Sequence, residues 1–594
     1  MNLIFDIETN GLLFEEWFKD KETKELVLTP PANTIWCIVA MDEDEKIYSF
    51  EPGEIDKGIE FLKSADKLIG HNIIGFDIPI IKKLKGVDLY KSCEVLDTLV
   101  LSRLFNPSRG NSHSLKGWGD KLHYPKQEQP NFSKYSKEML NYCIRDVKLN
   151  NKILSILRTE SKGFSKESIN IEHKVSKIVT QQEINGFLFD EKQASILLSI
   201  LSKQKKDIEN EVHKKFKPKW VDVKEITPTL KNNGELKKSG LSDYEYAEIQ
   251  LTGNMQPFMR QELKEFNLGS RKQIGEYLID FGWKPNRFTP TGQPIIDEKT
   301  LSKIKHIPEA NLIAEFLLLQ KRISHITSWI EATKKDNRVH GFVVSNGTIT
   351  GRMTHYKPNM AQIPSVHSQY GKECRACWIV PEGYNLVGVD ASGLEIRMLA
   401  HYMADEEYIN EVINGDIHTT NQKFAGLESR NQAKTFIYAL VYGAGDAKIG
   451  SIIKGSRAEG KQLRERFLIS LPSFNTLKKR VDVATRKGFI TGLDKRKIFI
   501  RHFHAGLNTL LQGGESIVMK QALILLDESL NLNNINYKFV ANIHDEWQIE
   551  VQESQADFVG RQAVKCIEDA GKHFNLRCQL DGEYKIGSNW SDTH

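Results

Sequence analysis

The sequence predicts a soluble multidomain protein of mixed α+β and α/β class, and three observations carry that prediction. At 594 residues the chain is too long for one hydrophobic core and divides into three or four subdomains. Short apolar strands carrying acids lie near both ends, at 2–8, 384–390 and 539–551. Between them run long segments of helical periodicity, and one of these, Arg430 to Gly443, organises the rest.

That stretch, Arg430-Asn-Gln-Ala-Lys434-Thr-Phe-Ile-Tyr438-Ala-Leu-Val-Tyr442-Gly443, has no helix breaker before its glycine. Arg430, Lys434 and Tyr438 recur every four residues, and each step drifts only about 40° around the axis. The three share one face over about 12 Å of rise, comparable to an extended nucleoside triphosphate. Two cations in this order suit phosphates, and the ring suits a base. A solvated basic face is the competing reading of the spacing alone. The acidic motifs on either side decide between them.

Composition narrows the class. Hydrophobic residues make up 40% and charged residues 27%, ordinary for a soluble globular protein. A net charge of +5 neither requires nor excludes a nucleic-acid partner, because acidic patches can mask a basic groove. No apolar run approaches the ~20 residues of a membrane span. The N-terminal residues lack the basic and apolar regions of a signal peptide. Seven scattered cysteines suit a reducing cytoplasm. The pair Cys374-Arg-Ala-Cys377 has no second pair or nearby histidines, so two ordinary thiols are expected there rather than zinc.

Taken in order, residues 2–8 form a buried strand whose period puts Asp6 and Glu8 on one face. Adjacent carboxylates repel, so this pair needs a cation. A second acidic point is Asp77 in His71-Asn72-Ile-Ile-Gly-Phe76-Asp77. A third is Asp146, one helical turn after Tyr142 in a pattern from about 136 to 157. Asp97 reads as a carboxylate that backs the other acids or as a helix-start residue, and the latter is favoured. Residues 165–216 read as helices with an apolar seam through Leu197, Leu201, Ile208 and Val212. The stretch 217–266, with prolines at 218, 228 and 257 and many lysines, reads as a surface insertion. It is either a basic flap over a nucleic acid or a solvated loop. Helical periodicity returns at 270–282 and about 309–335. Arg352 lies in an irregular polar segment. It is either a loop residue or one that reaches a duplex. Residues 384–390 form a strand ending in Asp390, and Ala391 to Tyr402 follow as a helix. His544-Asp545-Glu546 forms a tight turn between two apolar strands, where packing has no use for it. If that hairpin lies beside the earlier strand, Asp390 and Asp545 form a second two-metal site.

These motifs carry a resemblance over essentially the whole chain. Asp6-x-Glu8, Asp77 and Tyr142-x-x-x-Asp146 resemble the three motifs of DEDD-type 3′–5′ exonucleases of the tyrosine subclass. Asp390-Ala-Ser-Gly-Leu-Glu395-Ile-Arg397, the 430–443 helix and His544-Asp545-Glu546 resemble motifs A, B and C of family A (Pol I-like) DNA polymerases. The wording of Asn414-Gly-Asp-Ile-His418-Thr, Leu507-Asn-Thr-Leu-Leu-Gln512 and Asn589-Trp590 is similar to that of the replicative polymerases of T-seven-like bacteriophages.

The resemblance implies a ribonuclease H-like exonuclease domain at 1–160, followed by a right-hand polymerase. The thumb lies at 165–350 with a short insertion at 217–266, the palm at 365–402 and 508–594, and the fingers at 403–507. It implies Mg²⁺ as cofactor, two ions in each site, with Mn²⁺ able to substitute. Asp6, Glu8, Asp77 and Asp146 hold one set, and Tyr142 orients the attacking water. Asp390, Asp545 and the Ala391 carbonyl hold the other. Arg430, Lys434 and His418 bind phosphates, Tyr438 stacks near the incoming base, and Tyr442 lies under the templating position. Glu395 closes the space of a ribose 2′-hydroxyl. Arg352, Gln512 and His544 contact primer-template DNA.

Implied partners are DNA, dNTPs, a replisome helicase-primase and a single-strand binding protein, in the cytoplasm of an infected bacterium. No membrane partner is implied. The 217–266 stretch is short beside the thioredoxin-binding insertion of those relatives, so no thioredoxin requirement is expected. Ala439, where the family usually has glycine, is a departure. A single-subunit RNA polymerase is disfavoured by Glu395. A nuclease whose C-terminal half only binds nucleic acid has no use for Asp390, Asp545 and Lys434 together.

Overall fold

Strand β1 (Asn2–Thr9) separates two of the cores of the N-terminal third. Alternation sends Leu3, Phe5 and Ile7 to one face, where they pack with Ile38, Ala40 and Leu68. Ile4 goes to the other face and joins Cys37, Val39, Leu140, Cys143 and Val147. By the same period Asp6 and Glu8 share the face of Ile4. The computed structural model describes residues 1–19, 25–110 and 112–594. Around β1 lie β2 (Ile35–Met41), β3 (Ile47–Phe50), β4 (Lys67–Gly70) and β5 (Glu94–Asp97), in the order β3-β2-β1-β4-β5. β2 is antiparallel to β1 and β4 is parallel to it, so the sheet is mixed. Helices α1 (Asp77–Lys85), α2 (Thr98–Phe105) and α3 (Lys137–Glu160) follow. Ser136 caps α3 by accepting from the Met139 amide at 3.2 Å.

The long helical reading of 165–216 resolves into α4 (Lys166–Asn185) and α5 (Glu191–Lys215), separated by a short strand at Phe187–Phe189. Residues Glu191–Glu331 form a compact unit of their own. Its core gathers Val212, Phe216, Phe266, Tyr277, Ile313 and Phe316. The 217–266 stretch, read from sequence as a surface insertion, contains an antiparallel hairpin. Its strands are β6 (Lys219–Ile226) and β7 (Phe258–Lys264), and between them runs α6 (Asp243–Thr252). The prolines do not interrupt these strands. Pro218 and Pro257 immediately precede them and Pro228 follows the first, so no ladder N–H is lost. A capping box between Ser242 and Glu245 starts α6, and Arg260 of β7 donates to Glu245 at 2.7 Å. Four of the seven lysines of the stretch are in ion pairs: Lys219 with Asp280, Lys231 with Glu235, Lys238 with Asp243 and Lys264 with Glu262.

The other unit joins Met1–Asp190 to Ala332–His594. Its second sheet runs β10-β11-β8-β12, all antiparallel. The strands are β8 (Tyr384–Ala391), β10 (Tyr537–Ile543), β11 (Glu546–Gln552) and β12 (Gly582–Gly587). A small separate hairpin supplies β9 (Lys497–Phe499). Helix α7 (Leu394–Met403) follows β8; α8 (Ile417–Ala425) and α9 (Arg430–Val441) precede α10 (Gly506–Leu532). Val387, Val389, Ile549 and Val551 share one apolar core with Leu511, Val518 and Leu523 of α10. No helix among the described residues is long and apolar enough to cross a membrane.

A buried charge network ties α4 and α10 to the turn before β9. Glu172 and Asp494 are wholly buried, and Arg496 and Lys520 nearly so. Lys520 donates to Glu172 at 2.6 Å, Arg496 donates to Asp494 at 2.7 Å, and Arg496 also pairs with Glu172. Two acids meet two cations, so the network is neutral only when complete. Removing one member leaves a buried charge uncompensated. Glu172→Ala is expected to destabilise the protein by about 3–5 kcal/mol. Urea unfolding followed by tryptophan fluorescence will read this as a lowered midpoint.

Candidate active sites

The first cluster forms where α3 crosses the Ile4 face of β1. Asp6 and Glu8 project from the strand, and Asp146 projects from the helix. The Ile7 amide donates to Asp77 Oδ1 at 3.1 Å, which ties the start of α1 to β1 between the two strand acids. Burial pushes the Asp6 carboxyl up to about 7, and the charge of Asp146 adds to it. Burial also raises Glu8 and Asp77 well above the ordinary carboxylate range, with Asp6 as the next cause for each. Asp146 is raised by burial despite an ion pair with Lys126 at 2.6 Å. All four acids predicted from the sequence therefore meet here. Tyr142 is buried on the same helix one turn before Asp146.

Two members of this cluster were not anticipated. Cys143 lies one turn before Asp146, and its sulfur is within 4.8 Å of ligand oxygens of Asp6 and Glu8. Lys126 reaches in from a loop, with its ammonium 4.7 Å from the centre of the Tyr142 ring. No spacing rule links a loop lysine to these acids, so only the tertiary fold could reveal it. Asp97 is not in the cluster. It caps α2 by accepting from the Leu99 amide at 2.8 Å, as favoured from sequence. It also accepts from the Asn72 and Ile74 amides at 2.9 and 3.0 Å, which fixes the turn leading to Asp77.

The second cluster lies at the end of β8. That strand pairs with β11 so that Asp390 stands opposite Glu546. The Ala391 amide donates to the Asp545 carbonyl at 3.1 Å, which draws the two-residue turn His544–Asp545 against the strand end. Asp390 is pushed up to about 7 by burial and then by the charge of Asp545. Asp545 is raised by burial too. His544 sits in the turn with a positive φ of 56°. Glu546 serves structure instead: it is buried and accepts from Trp590 Nε1 at 2.5 Å and Gln548 Nε2 at 2.8 Å.

Helix α9 presents the face expected of it. Ala433, Phe436, Ile437 and Leu440 are buried, Arg430 and Lys434 are exposed, and Tyr438 is half-buried. Ala439 is on the buried side. Ser429 and Gln432 form a capping box at the start, and Gly443 follows the end at φ 72°. A Cβ on Gly443 would lie 2.5 Å from the His504 carbonyl oxygen, so a side chain has no room there. Arg430 donates to Asp416 at 2.7 Å, and Asp416 caps the helix that carries His418. His418 is held below the ordinary histidine range by burial, then by Arg430 and Lys434. Arg430, Lys434 and His418 are thus brought together. Tyr438 is raised by burial, with further contributions from Glu395 and Asp545, which places the ring near the second cluster. Tyr442 donates to Glu395 at 3.2 Å. Arg352 pairs with Glu515, and Gln512 is half-buried three residues before Glu515 on α10.

Comparison with known proteins agrees with this geometry. The model of DNA polymerase family A matches residues 246–592. The chain is 30% identical to the DNA-directed DNA polymerase of Enterobacteria phage T3, with all of both chains covered. It is likewise 30% identical, over all of both chains, to the DNA-directed DNA polymerase of Escherichia phage T7. Among solved structures, it resembles the POL domain of Pol1 from M. smegmatis in complex with DNA primer-template and dNTP. The TM-score is 0.75 at 18% identity, covering 94% of this chain and 93% of that one, a likeness of fold. The chain belongs to DNA polymerase family A. Members of this family use divalent metal ions.

The first cluster fits such ions: four acids are raised by burial, and Asp146 Oδ1 is buried without a hydrogen-bond partner. In metal-free buffer Lys126 is the cation that faces them. Lys126→Met is therefore expected to lower the melting temperature by a few degrees in chelator, and by less in millimolar Mg²⁺. Differential scanning calorimetry in the two buffers measures both values.

Proposed function

We propose that this DNA-directed DNA polymerase extends a primer 3′ end at the Asp390–Asp545 site and excises 3′-terminal nucleotides at the Asp6–Glu8–Asp77–Asp146 site. The observation that supports this most strongly is the bond from Ala391 to Asp545. It sets two acids side by side near the phosphate-binding face of α9. In this reading residues 1–160 are the exonuclease domain and the thumb spans 165–350. The palm is 365–402 with 508–594, and the fingers are 403–507.

Asp390, Asp545 and the Ala391 carbonyl are the ligands for two Mg²⁺ ions, or Mn²⁺ in their place. Asp6, Glu8, Asp77 and Asp146 are the ligands for a second pair. Such ions lower the pKa of an attacking oxygen and neutralise charge on phosphate oxygens. The protein's own groups do the positioning. Arg430, Lys434 and His418 hold the triphosphate, and Tyr438 packs near the incoming base and sugar. Tyr442 lies under the templating position. Glu395, fixed by the Tyr442 hydroxyl, fills the place of a 2′-hydroxyl. Arg352, Gln512 and His544 contact primer-template DNA. In the first site Tyr142 orients the attacking water. The setting is the cytoplasm of a phage-infected bacterium, with a helicase-primase and a single-strand binding protein as partners. Thioredoxin is not required.

Primer extension and single-strand degradation test the two-site reading. Asp545→Ala is expected to abolish extension and keep degradation. Asp6→Ala combined with Glu8→Ala is expected to do the reverse. Loss of both activities from either folded variant contradicts separate sites. For sugar choice, Glu395→Ala is expected to narrow the preference for deoxynucleotides by several-fold or more. Single-turnover incorporation of matched dNTP and rNTP measures it, and unchanged discrimination places the gate elsewhere.

A further inference from the structure

The ion pair between Arg352 and Glu515 has no part in the chemistry above, yet it lies beside it. Glu515 is 5% exposed on α10. Its Oε2 accepts from Arg352 Nη2, while its Oε1 is buried with no hydrogen-bond partner. Arg352, Glu515, His544 and Asp545 line one small cavity. The other charges that bear on this carboxylate are unfavourable: Asp545 and Glu395 are both acids. Lys520 lines the same cavity but is committed to Glu172. Arg352 is thus the cation that compensates a buried charge.

The backbone leaves only the arginine side chain free to exchange partners. The Thr348 amide and hydroxyl both donate to the Arg352 carbonyl at 3.2 Å. Gly351 holds a positive φ of 79°, and a Cβ there would lie 3.5 Å from the Ser516 hydroxyl. The turn is therefore seated on α10 next to Glu515. The Arg352 side chain retains 25% exposure.

We infer that Glu515 is a specificity-determining residue that holds Arg352 in reserve and makes its engagement of the primer terminus conditional. The inference rests on the reading that Arg352 contacts DNA. Leaving Glu515 strands a buried carboxylate, so Arg352 moves only to acceptors that compensate for the loss. Correctly paired bases present minor-groove acceptors at regular positions. A mispaired terminus displaces them. Without the competing carboxylate, Arg352 engages both kinds of terminus nearly fully, and the engaged fraction carries no information. With it, engagement is partial and tracks the geometry of the terminus. Glu515 therefore lowers DNA affinity and raises discrimination in the rate of extension from bound DNA.

The test compares Glu515→Gln, Glu515→Ala, Arg352→Ala and the double variant Arg352→Ala with Glu515→Gln. Fluorescence anisotropy measures binding of matched primer-template. Single-turnover extension measures rates from matched and mismatched termini, with phosphorothioate linkages to block excision. Melting curves confirm that each variant is folded. Both Glu515 variants are expected to bind DNA about tenfold more tightly and to lose several-fold in the matched-to-mismatched rate ratio. Neither change is expected when Arg352 is already alanine. If Arg352→Ala weakens binding while the Glu515 variants leave affinity and rate ratio unchanged, the reserve role is overturned. If Arg352→Ala leaves binding unchanged, the DNA-contact reading fails and takes the inference with it.

Discussion

Like charges brought together out of water repel, and this protein builds both of its candidate sites on that constraint. In each, a strand end delivers one set of acids and a neighbouring element delivers another. The Ala391–Asp545 bond does this for the second sheet, and the Ile7–Asp77 bond does it for the first. The Ala391–Asp545 bond joins main chain to main chain and holds however strongly the side chains repel, whereas the Ile7–Asp77 bond runs from a main-chain amide to the Asp77 carboxylate itself. Burial first, and repulsion after it, raises these carboxyl pKa values, and a bound cation offsets both. The two sites differ in what stands opposite the acids. A lysine from a loop faces the first, and Arg352 and His544 line a cavity with Asp545 of the second.

The same electrostatic logic recurs where no chemistry is proposed. Glu172, Asp494, Arg496 and Lys520 form a closed set in which each acid has a cation, and this set holds α4, α10 and the β9 hairpin together. Arg338 and Glu550 make another such pair, at 2.8 Å, across to β11. Glu515 differs from both. It has one cation, Arg352, whose side chain stays partly exposed. A buried pair that can be broken from outside can act as a switch, whereas a closed network serves as a brace.

Several sequence-based readings changed on folding for local reasons. The 217–266 stretch contains a hairpin and a helix, because its prolines sit beside strands and not within them. Four of its seven lysines are already in ion pairs, so the stretch holds fewer uncommitted charges than its composition implies. The helical span 165–216 is two helices, broken at Gly186, whose φ is 60°. Glu546 stands next to Asp545 in sequence, yet alternation along β11 turns it into the core toward Trp590.

Family, fold class and most of the candidate residues were legible in the sequence, because local geometry decides them. Period 2 places Asp6 with Glu8, and period 3.6 places Arg430 with Lys434 and Tyr438, or Tyr142 with Asp146. These relations survive any tertiary arrangement, since they belong to the strand or helix alone. What only the tertiary structure decided are the contacts between elements: Lys126 against Asp146, Cys143 beside Asp6, Asp97 holding the turn before Asp77, and Arg352 on Glu515. These pairs are separated by 20 residues or more in the chain, Cys143 and Asp6 by 137. No periodicity connects them, and a loop lysine or a helix glutamate has the same composition wherever it ends up. Their meaning comes from burial, which makes each charge depend on the partner that the fold supplies.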